Sequence, residues 1–213
     1  MKYDLHIHSK YSSDGYCDPK VLVKTAIKKG LSGIAVTDHN TIRGGLETIK
    51  YENNDLQVII GSEVNTDRGE VIGLFLTEEI KSNIFIEVVE EIKEQNGLVI
   101  IPHPFDEIRG NGINPQEKDA KLVDFVEVFN SRCLFQKYND KACEFAVENG
   151  LKFVAGSDAH FAHEIGKAGI IISEEDVRES FSRGKIAIFG EKSNLINLGL
   201  TKVLKIWRKA SSG

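Results

Sequence analysis

The chain has 213 residues, with 27 lysines and arginines against 32 aspartates and glutamates, a formal net charge of −5, and 41% hydrophobic residues. These figures fit one globular domain with a substantial core, and they exclude a fibre, a disordered tail and a general basic footprint for duplex nucleic acid or anionic membrane. Cys17, Cys133 and Cys143 lack CxxC spacing, so neither a disulfide framework nor a thiolate zinc site is indicated, and a reducing cytoplasm is the expected compartment.

Taken in chain order, the first strand is expected at Asp4-Leu5-His6-Ile7-His8. A helix follows, with Leu22, Val23, Ala26 and Ile27 on one face, closed by Gly30 before an apolar strand over 33–37. Residues 58–76 break the rhythm, because two strand-like runs flank Thr66-Asp67-Arg68-Gly69, which predicts a hairpin. A second helix presents Phe85, Val88, Val89 and Ile92, and Gly97 is expected to close it before a strand over 98–101. Strands over 125–129, 153–155 and 169–172 follow. The helix between the first two carries Tyr138, Ala142, Phe145 and Ala146 and ends at Gly150. Continuous apolar strands alternating with helices imply a mainly parallel sheet, open or closed into a barrel. The body is expected over residues 1–190. Residues 191–213 complete it with a packed C-terminal helix, whose stripe is Ile196, Leu200, Val203, Leu204 and Trp207, and a short tail.

Five of the six histidines fall at, or just after, the C-terminal end of an expected strand. His6 and His8 follow the first strand, His39 the second, His103 the fifth and His160 the seventh, with Glu63 ending the third and Asp158 beside His160. In a parallel sheet or barrel these ends share one face, so residues far apart in sequence converge. Imidazole with carboxylate suits divalent zinc, manganese or iron, whereas an all-oxygen cage favours magnesium or calcium. Side chains two apart on a strand point to one side, so His6 and His8 can grip one cation. Asp14 in Ser12-Ser13-Asp14-Gly15 reads as a ligand or a turn former, and Asp38 as an acceptor behind His39.

Together, Asp4-Leu5-His6-Ile7-His8-Ser9, Ser13-Asp14-Gly15, Thr37-Asp38-His39-Asn40, Gly61-Ser62-Glu63, Pro102-His103-Pro104 and Gly156-Ser157-Asp158-Ala159-His160 resemble the ordered motifs of the PHP (polymerase and histidinol phosphatase) family. The resemblance implies an α/β fold, a distorted TIM-like (β/α)7 barrel in a single domain. It also implies two or three divalent ions (Mn²⁺, Zn²⁺ or Fe²⁺) and hydrolysis of phosphate esters. Carried over, His6, His8, Glu63 and Asp158 hold one metal, Glu63 bridges to a second at His103, and Asp14, His39 and His160 hold a third. Asn130 stands where other members have His or Cys and is the expected neutral ligand there, and Asp14 stands where others have His. The small stand-alone members are the best match. Some act on nucleoside 3′,5′-bisphosphates or short oligonucleotides, so the implied partner is a small phosphorylated substrate, nucleotide or oligonucleotide, without a membrane or stable duplex binding.

The implied reaction uses a metal-activated hydroxide, since coordination lowers the pKa of water from ~15.7 to about 7 and removes the need for a Ser or Cys nucleophile. Arg43, Arg109 and Arg132 each follow a ligand-bearing strand end and are the expected phosphate clamps. His160 or His163 is the expected proton donor to the leaving oxygen, and Asp158 the carboxylate on which turnover depends. Two rival classes are a metal-dependent carbon–nitrogen hydrolase and a noncatalytic metal-binding domain, the latter expected to lack ligands.

Overall fold

The computed structural model describes residues 1–173 and 176–194, together with Asn197 and Thr201. Among the described residues nine strands form one sheet: β1 (Lys2–Ile7), β2 (Gly33–His39), β3 (Gln57–Thr66), β4 (Gly69–Leu74), β5 (Leu98–Ile101), β6 (Phe125–Asn130), β7 (Lys152–Gly156), β8 (Ala168–Ile172) and β9 (Ile186–Gly190). Their spatial order is β7-β6-β5-β4-β3-β2-β1-β8-β9. The pairs β1–β2, β2–β3, β5–β6 and β6–β7 are parallel, while β4 runs antiparallel to both its neighbours. The sheet curls until its ends meet. At the rim, His8 N–H donates to the Ala159 carbonyl (2.8 Å) and Ala159 N–H to the His6 carbonyl (3.2 Å), so the chain leaving β7 rejoins β1. The expected seven-stranded barrel is therefore β1–β7, nearly closed. Its distortions are the antiparallel β4 and the extension of β8 and β9 from the opposite end of β1.

Patterning explains this closure. Tyr3, Leu5, Ala35, Ile59, Ile72, Leu74, Ile100, Phe125 and Val154, from successive strands, fill one interior cluster. Strand residues of the opposite parity meet helices, as a sheet covered on both faces requires. Helix α1 (Pro19–Lys28) starts on Asp18, whose side chain accepts from Lys20 N–H, with Pro19 in the first turn where its missing donor is not needed. Leu22, Val23 and Ala26 then pack on Ile34, Val36 and Val58. The short helix α2 (Arg43–Thr48) precedes β3. Helix α3 (Phe85–Glu94) buries Phe85, Val88, Val89 and Ile92 against Val71, Val99 and Ile101. Each such side chain contributes about 1.5–3 kcal/mol when fully buried. After the four-residue α4 (Glu117–Ala120), α5 (Gln136–Glu148) packs Ala142, Phe145 and Ala146 on Val126 and Val128, and α6 (Val177–Arg183) places Phe181 in the interior cluster.

Gly30 and Gly150 close their helices at φ 72° and 64°, as expected. Gly97 does not. The preceding Asn96 takes the left-handed turn (φ 55°), a conformation asparagine tolerates, and Gly97 is needed because a Cβ there would lie 2.8 Å from Ile92 Cγ2. Of the C-terminal helix expected over 194–209, Asn197 and Thr201 are helical and buried. Ile196, Leu200, Val203, Leu204 and Trp207 lie outside the described residues. Among the described residues no helix is long and apolar enough to cross a membrane.

Candidate metal centre

The strand ends bring the expected residues together. The parallel register of β2 and β3 sets His39 beside Glu63, and the antiparallel register of β3 and β4 sets Ile72 opposite Glu63. Pairing shifts within β1 between Asp4 and Ile7, and within β6 between Glu127 and Phe129. Such bulges re-aim side chains at a barrel rim, and here they serve His6, His8 and Glu127. His103 (φ 28°) and Asp158 (φ 55°) hold left-handed backbone that non-glycine residues seldom adopt, a strain that persists only where surrounding structure enforces it.

His6 Nε2 lies 3.2 Å from His8 Nε2, 3.3 Å from Glu63 Oε2 and 3.7 Å from Asp158 Oδ1. His8 Nε2 is 3.3 Å from both carboxylate oxygens. A tetrahedral ion with ligands at about 2.0–2.1 Å separates them by roughly 3.3–3.4 Å, so these five edges outline a cage of that size. On one side, Glu63 Oε1 meets His103 Nε2 at 2.8 Å. On the other, Asp14 lies 3.3 Å from His39 Nε2 through Oδ2 and 3.3 Å from His160 Nε2 through Oδ1. His39 Nδ1 and His103 Nδ1 are buried without a hydrogen-bond partner. A mixed imidazole–carboxylate set, in which the orphaned His39 Nδ1 faces Glu63 (3.3 Å) and Glu70 (3.7 Å), fits divalent cations.

The surrounding groups fix the tautomers. Glu127 Oε1 accepts from His6 Nδ1 (3.1 Å) and the Asp158 carbonyl from His160 Nδ1 (2.8 Å), so in both rings Nε2 presents its lone pair to the cluster. Glu127 also accepts from His103 N–H and Asn130 Nδ2, both at 2.9 Å. Gly156 must lack a side chain, because a Cβ would lie 2.4 Å from His6 Cβ and 2.6 Å from Glu127 Oε1. The Asp38 carboxylate accepts from Ser9 N–H and Oγ, each at 2.6 Å, and so shapes the loop that presents Asp14.

Two buried carboxylates beside the cluster escaped the sequence reading. Glu127 interrupts the apolar run Phe125-Val126-Glu127-Val128-Phe129, and a charge buried in a strand requires partners, which was the readable signal. Glu70 lies two residues from Ile72 and thus on the face of Glu63, with its carboxylate 3.7 Å from His39 Nδ1 and 3.6 Å from His103 Nε2. A Glu70→Gln variant is expected to bind Mn²⁺ about 10–100-fold more weakly, measured by isothermal titration, with its fold retained by circular dichroism. Unchanged affinity would remove Glu70 from the centre.

A cavity of about 240 Å³ opens on the cluster, lined by Asp14, His39, Glu63, Glu70, Asp158 and His160 and walled by Arg109, Asn111, Arg132 and Thr201. Arg109 bonds Asp158 through Nη1 and Asn130 Oδ1 through Nη2 (3.0 Å), and its Nε meets Asp106 (3.1 Å). The Asn130 amide oxygen thus faces Arg109 and the Arg132 N–H (2.9 Å), and its nitrogen faces Glu127 and Asp158. Arg132 is buried and committed to Glu164 (3.3 Å), the Asn197 carbonyl (3.3 Å) and Thr201 Oγ1 (2.7 Å). Two expected residues stand apart. Arg43 is exposed over the Tyr11 ring, and His163 is exposed against Phe161.

The electrostatics are those of a site built for cations. Burial disfavours charge on His8, yet the Asp158 and Glu63 carboxylates outweigh it and raise the ring to about 10. Burial likewise opposes charge on His6 and His39, and in both the carboxylates prevail and raise the ring. Burial would raise Glu63 and Asp158, but the imidazoles around Glu63, and Arg109 with the imidazoles around Asp158, hold both well below the usual carboxylate range. His160 is pushed down to about 4 by burial, then by His8 and Arg132.

A family model described as PHP domain matches residues 4–193. An uncharacterized protein of Methanocaldococcus jannaschii is 39% identical over 84% of this chain and 73% of its own length. The 5′-3′ exoribonuclease of Haemophilus influenzae is 32% identical over 64% of this chain and 56% of its own. A two-domain protein of Bacteroides vulgatus, described as containing a predicted PHP-like metal-dependent phosphoesterase, superposes with a TM-score of 0.74 at 20% identity, over 95% of this chain and 69% of that one. With the matched span taking in every ligand candidate from His6 to His160, the chain belongs to the PHP domain family.

Proposed function

We propose that this metal-dependent phosphoesterase acts on small phosphate esters of the nucleotide class, with nucleoside 3′,5′-bisphosphates and short oligonucleotides as candidate substrates. The observation that carries the reading is the convergence of Asp14, His39, Glu63, Asp158 and His160 on one cavity beside the Arg109 guanidinium. His6, His8, Glu63 and Asp158 would hold one cation, His103 with Glu63 and Glu70 a second, and Asp14, His39 and His160 a third. Bound divalent ions supply Lewis acidity for phosphoryl oxygens and activate water at neutral pH.

The chain's own groups do the rest. Arg109 offers a planar cation at the cavity wall, where it can orient a phosphoryl group while its contact with Asp158 fixes the guanidinium. Of the two histidines expected to move a proton, His160 lines the cavity, but with its Nδ1 proton on the Asp158 carbonyl and Nε2 turned to Asp14 it serves as a ligand rather than as a proton donor. The name of the Haemophilus influenzae relative favours a nucleic-acid-derived ester. Phosphate release from mononucleotides, 3′,5′-bisphosphates and short oligonucleotides with Mn²⁺, alongside an amide panel, tests the reading. Turnover of phosphate esters abolished by a chelator is expected, and amide cleavage without phosphate release would overturn it. Replacing Glu127 by glutamine is expected to lower this turnover about 10–100-fold, through the loosened His6 ring rather than through lost substrate contact.

A further inference from the structure

A row of rings on the chain segments that carry Asp14 and His160 takes no part in the chemistry above. The loop from β1 to α1 is closed on itself by a bridge between Ser9 and Cys17, with Lys10 N–H donating to the Cys17 carbonyl (2.8 Å). Asp14, from this loop, lines the cavity, while Tyr16 is 66% exposed. Tyr16 N–H donates to the His160 carbonyl (3.0 Å), which ties the loop to the β7 end. The Tyr16 ring lies 6.4 Å from that of the half-buried Phe161, and His163 stacks on Phe161 at 5.9 Å with 15° between planes. Tyr16 follows the cavity residue Asp14 by two positions, and Phe161 follows His160 by one, so main-chain reach keeps both Cα atoms within about 8 Å of those of cavity residues.

An exposed tyrosine beside a half-buried phenylalanine, on segments that also supply residues to a polar cavity, suits a ligand with a flat face. Positive charge lies against the same loop: Arg43, at the start of α2, covers the Tyr11 ring at 4.7 Å, while Lys10 is paired with Asp18 (2.7 Å). In a chain of net charge −5, the Arg43 guanidinium there favours an anionic ligand over an apolar protein segment. A planar heterocycle joined to phosphate satisfies both features, because every base has a π-face and stacking tolerates its identity.

We propose that Tyr16 and Phe161 form a nucleobase-stacking subsite on the Asp14–His160 side of the cavity, holding the base of the nucleotide whose phosphate ester enters it. The inference rests on the phosphoesterase reading. It is tested with Tyr16→Ala/Phe161→Ala and, as a ring-preserving control, Tyr16→Trp/Phe161→Trp. Each is assayed with a 5′-phosphorylated tetranucleotide and with ribose 5-phosphate, and titrated with fluorescein-labelled tetrathymidylate in EDTA by anisotropy. The alanine pair is expected to raise KM for the tetranucleotide about tenfold with kcat nearly constant, to weaken the anisotropy signal similarly, and to leave ribose 5-phosphate kinetics as they were. The tryptophan pair restores KM.

An unchanged tetranucleotide KM, or an equal loss on both esters, overturns the subsite. Wild-type turnover of ribose 5-phosphate alone also overturns it and leaves the phosphoesterase reading standing. If neither ester is hydrolysed, the phosphoesterase reading fails, and the anisotropy titration decides the subsite by itself: binding lost in the alanine pair supports it, and equal binding refutes it.

Discussion

A Glu63→Gln variant is expected to lose more than the ~100-fold in turnover that typifies an outer partner of a metal ligand, and to retain fewer cations per chain. The reason is position. Oε2 of Glu63 lies 3.3 Å from His6 Nε2, His8 Nε2 and His39 Nδ1, while Oε1 lies 2.8 Å from His103 Nε2. One carboxylate therefore faces the ligand atoms of two adjacent candidate cation sites. Glutamine keeps the shape and removes the charge, which leaves a neutral amide and at most one good acceptor in a fully buried place. Metal content by mass spectrometry and Mn²⁺-dependent phosphate release are read together, with circular dichroism confirming the fold. A variant that keeps both at wild-type levels would show that Glu63 does not hold the centre together.

The second large effect is the loss, on metal loading, of the fall in stability with rising pH. Without cations, protons compensate the buried carboxylates. The folded-state pKa of His8, about 10, exceeds the unfolded value near 6.5, so its stabilisation is complete below about pH 6.5 and is lost as pH rises through 10. His6 and His39 are raised in the same sense. The metal-free protein is thus expected to melt at progressively lower temperature between pH 7 and pH 10. His160, pushed down to about 4, has the opposite sign, and its contribution is lost as pH falls from about 6.5 to 4. Cations compete with the protons on the other imidazoles, so their uptake releases protons and strengthens as pH rises. The metal-loaded protein should keep its Tm over the range in which the metal-free protein loses it. Differential scanning calorimetry with Mn²⁺ and with EDTA checks this, and parallel curves would contradict it.

Much of the barrel was legible because its strands are continuous apolar runs and its helices carry stripes at spacings of three and four. The hairpin was legible from Thr66-Asp67-Arg68-Gly69, and it became β3 and β4. Helix α2 escaped because Gly44 and Gly45 lower its helical propensity. Gly44 is there for packing, since a Cβ would lie 2.3 Å from Ser9 Oγ and closer still to Asp38. Strand β9, of which residues 187, 188 and 190 are exposed, carries no strong burial signal, and nothing in its pattern fixed its pairing with β8.

The site divides along the same line. His6, His39, Glu63 and Asp158 could be placed because a strand end fixes where a residue sits. Side-chain direction is set by register, and register is tertiary information. Glu70 shares a face with Glu63 only once Ile72 is known to oppose it. Arg132 follows its strand end as expected, but the buried Glu164, together with Asn197 and Thr201, takes up its guanidinium. Arg43 and His163 follow ligand motifs in sequence yet stand exposed outside the cavity lining, because a position in a loop does not determine which way its side chain turns.

The most direct measurement is anomalous diffraction at the manganese edge from crystals grown with Mn²⁺. More than one peak among the side chains of His8, Asp14, His39, Glu63, His103 and Asp158, at the floor of the cavity, is the expected result. Strong peaks elsewhere on the molecule, with none between these side chains, would contradict the assignment of this cavity as a metal centre.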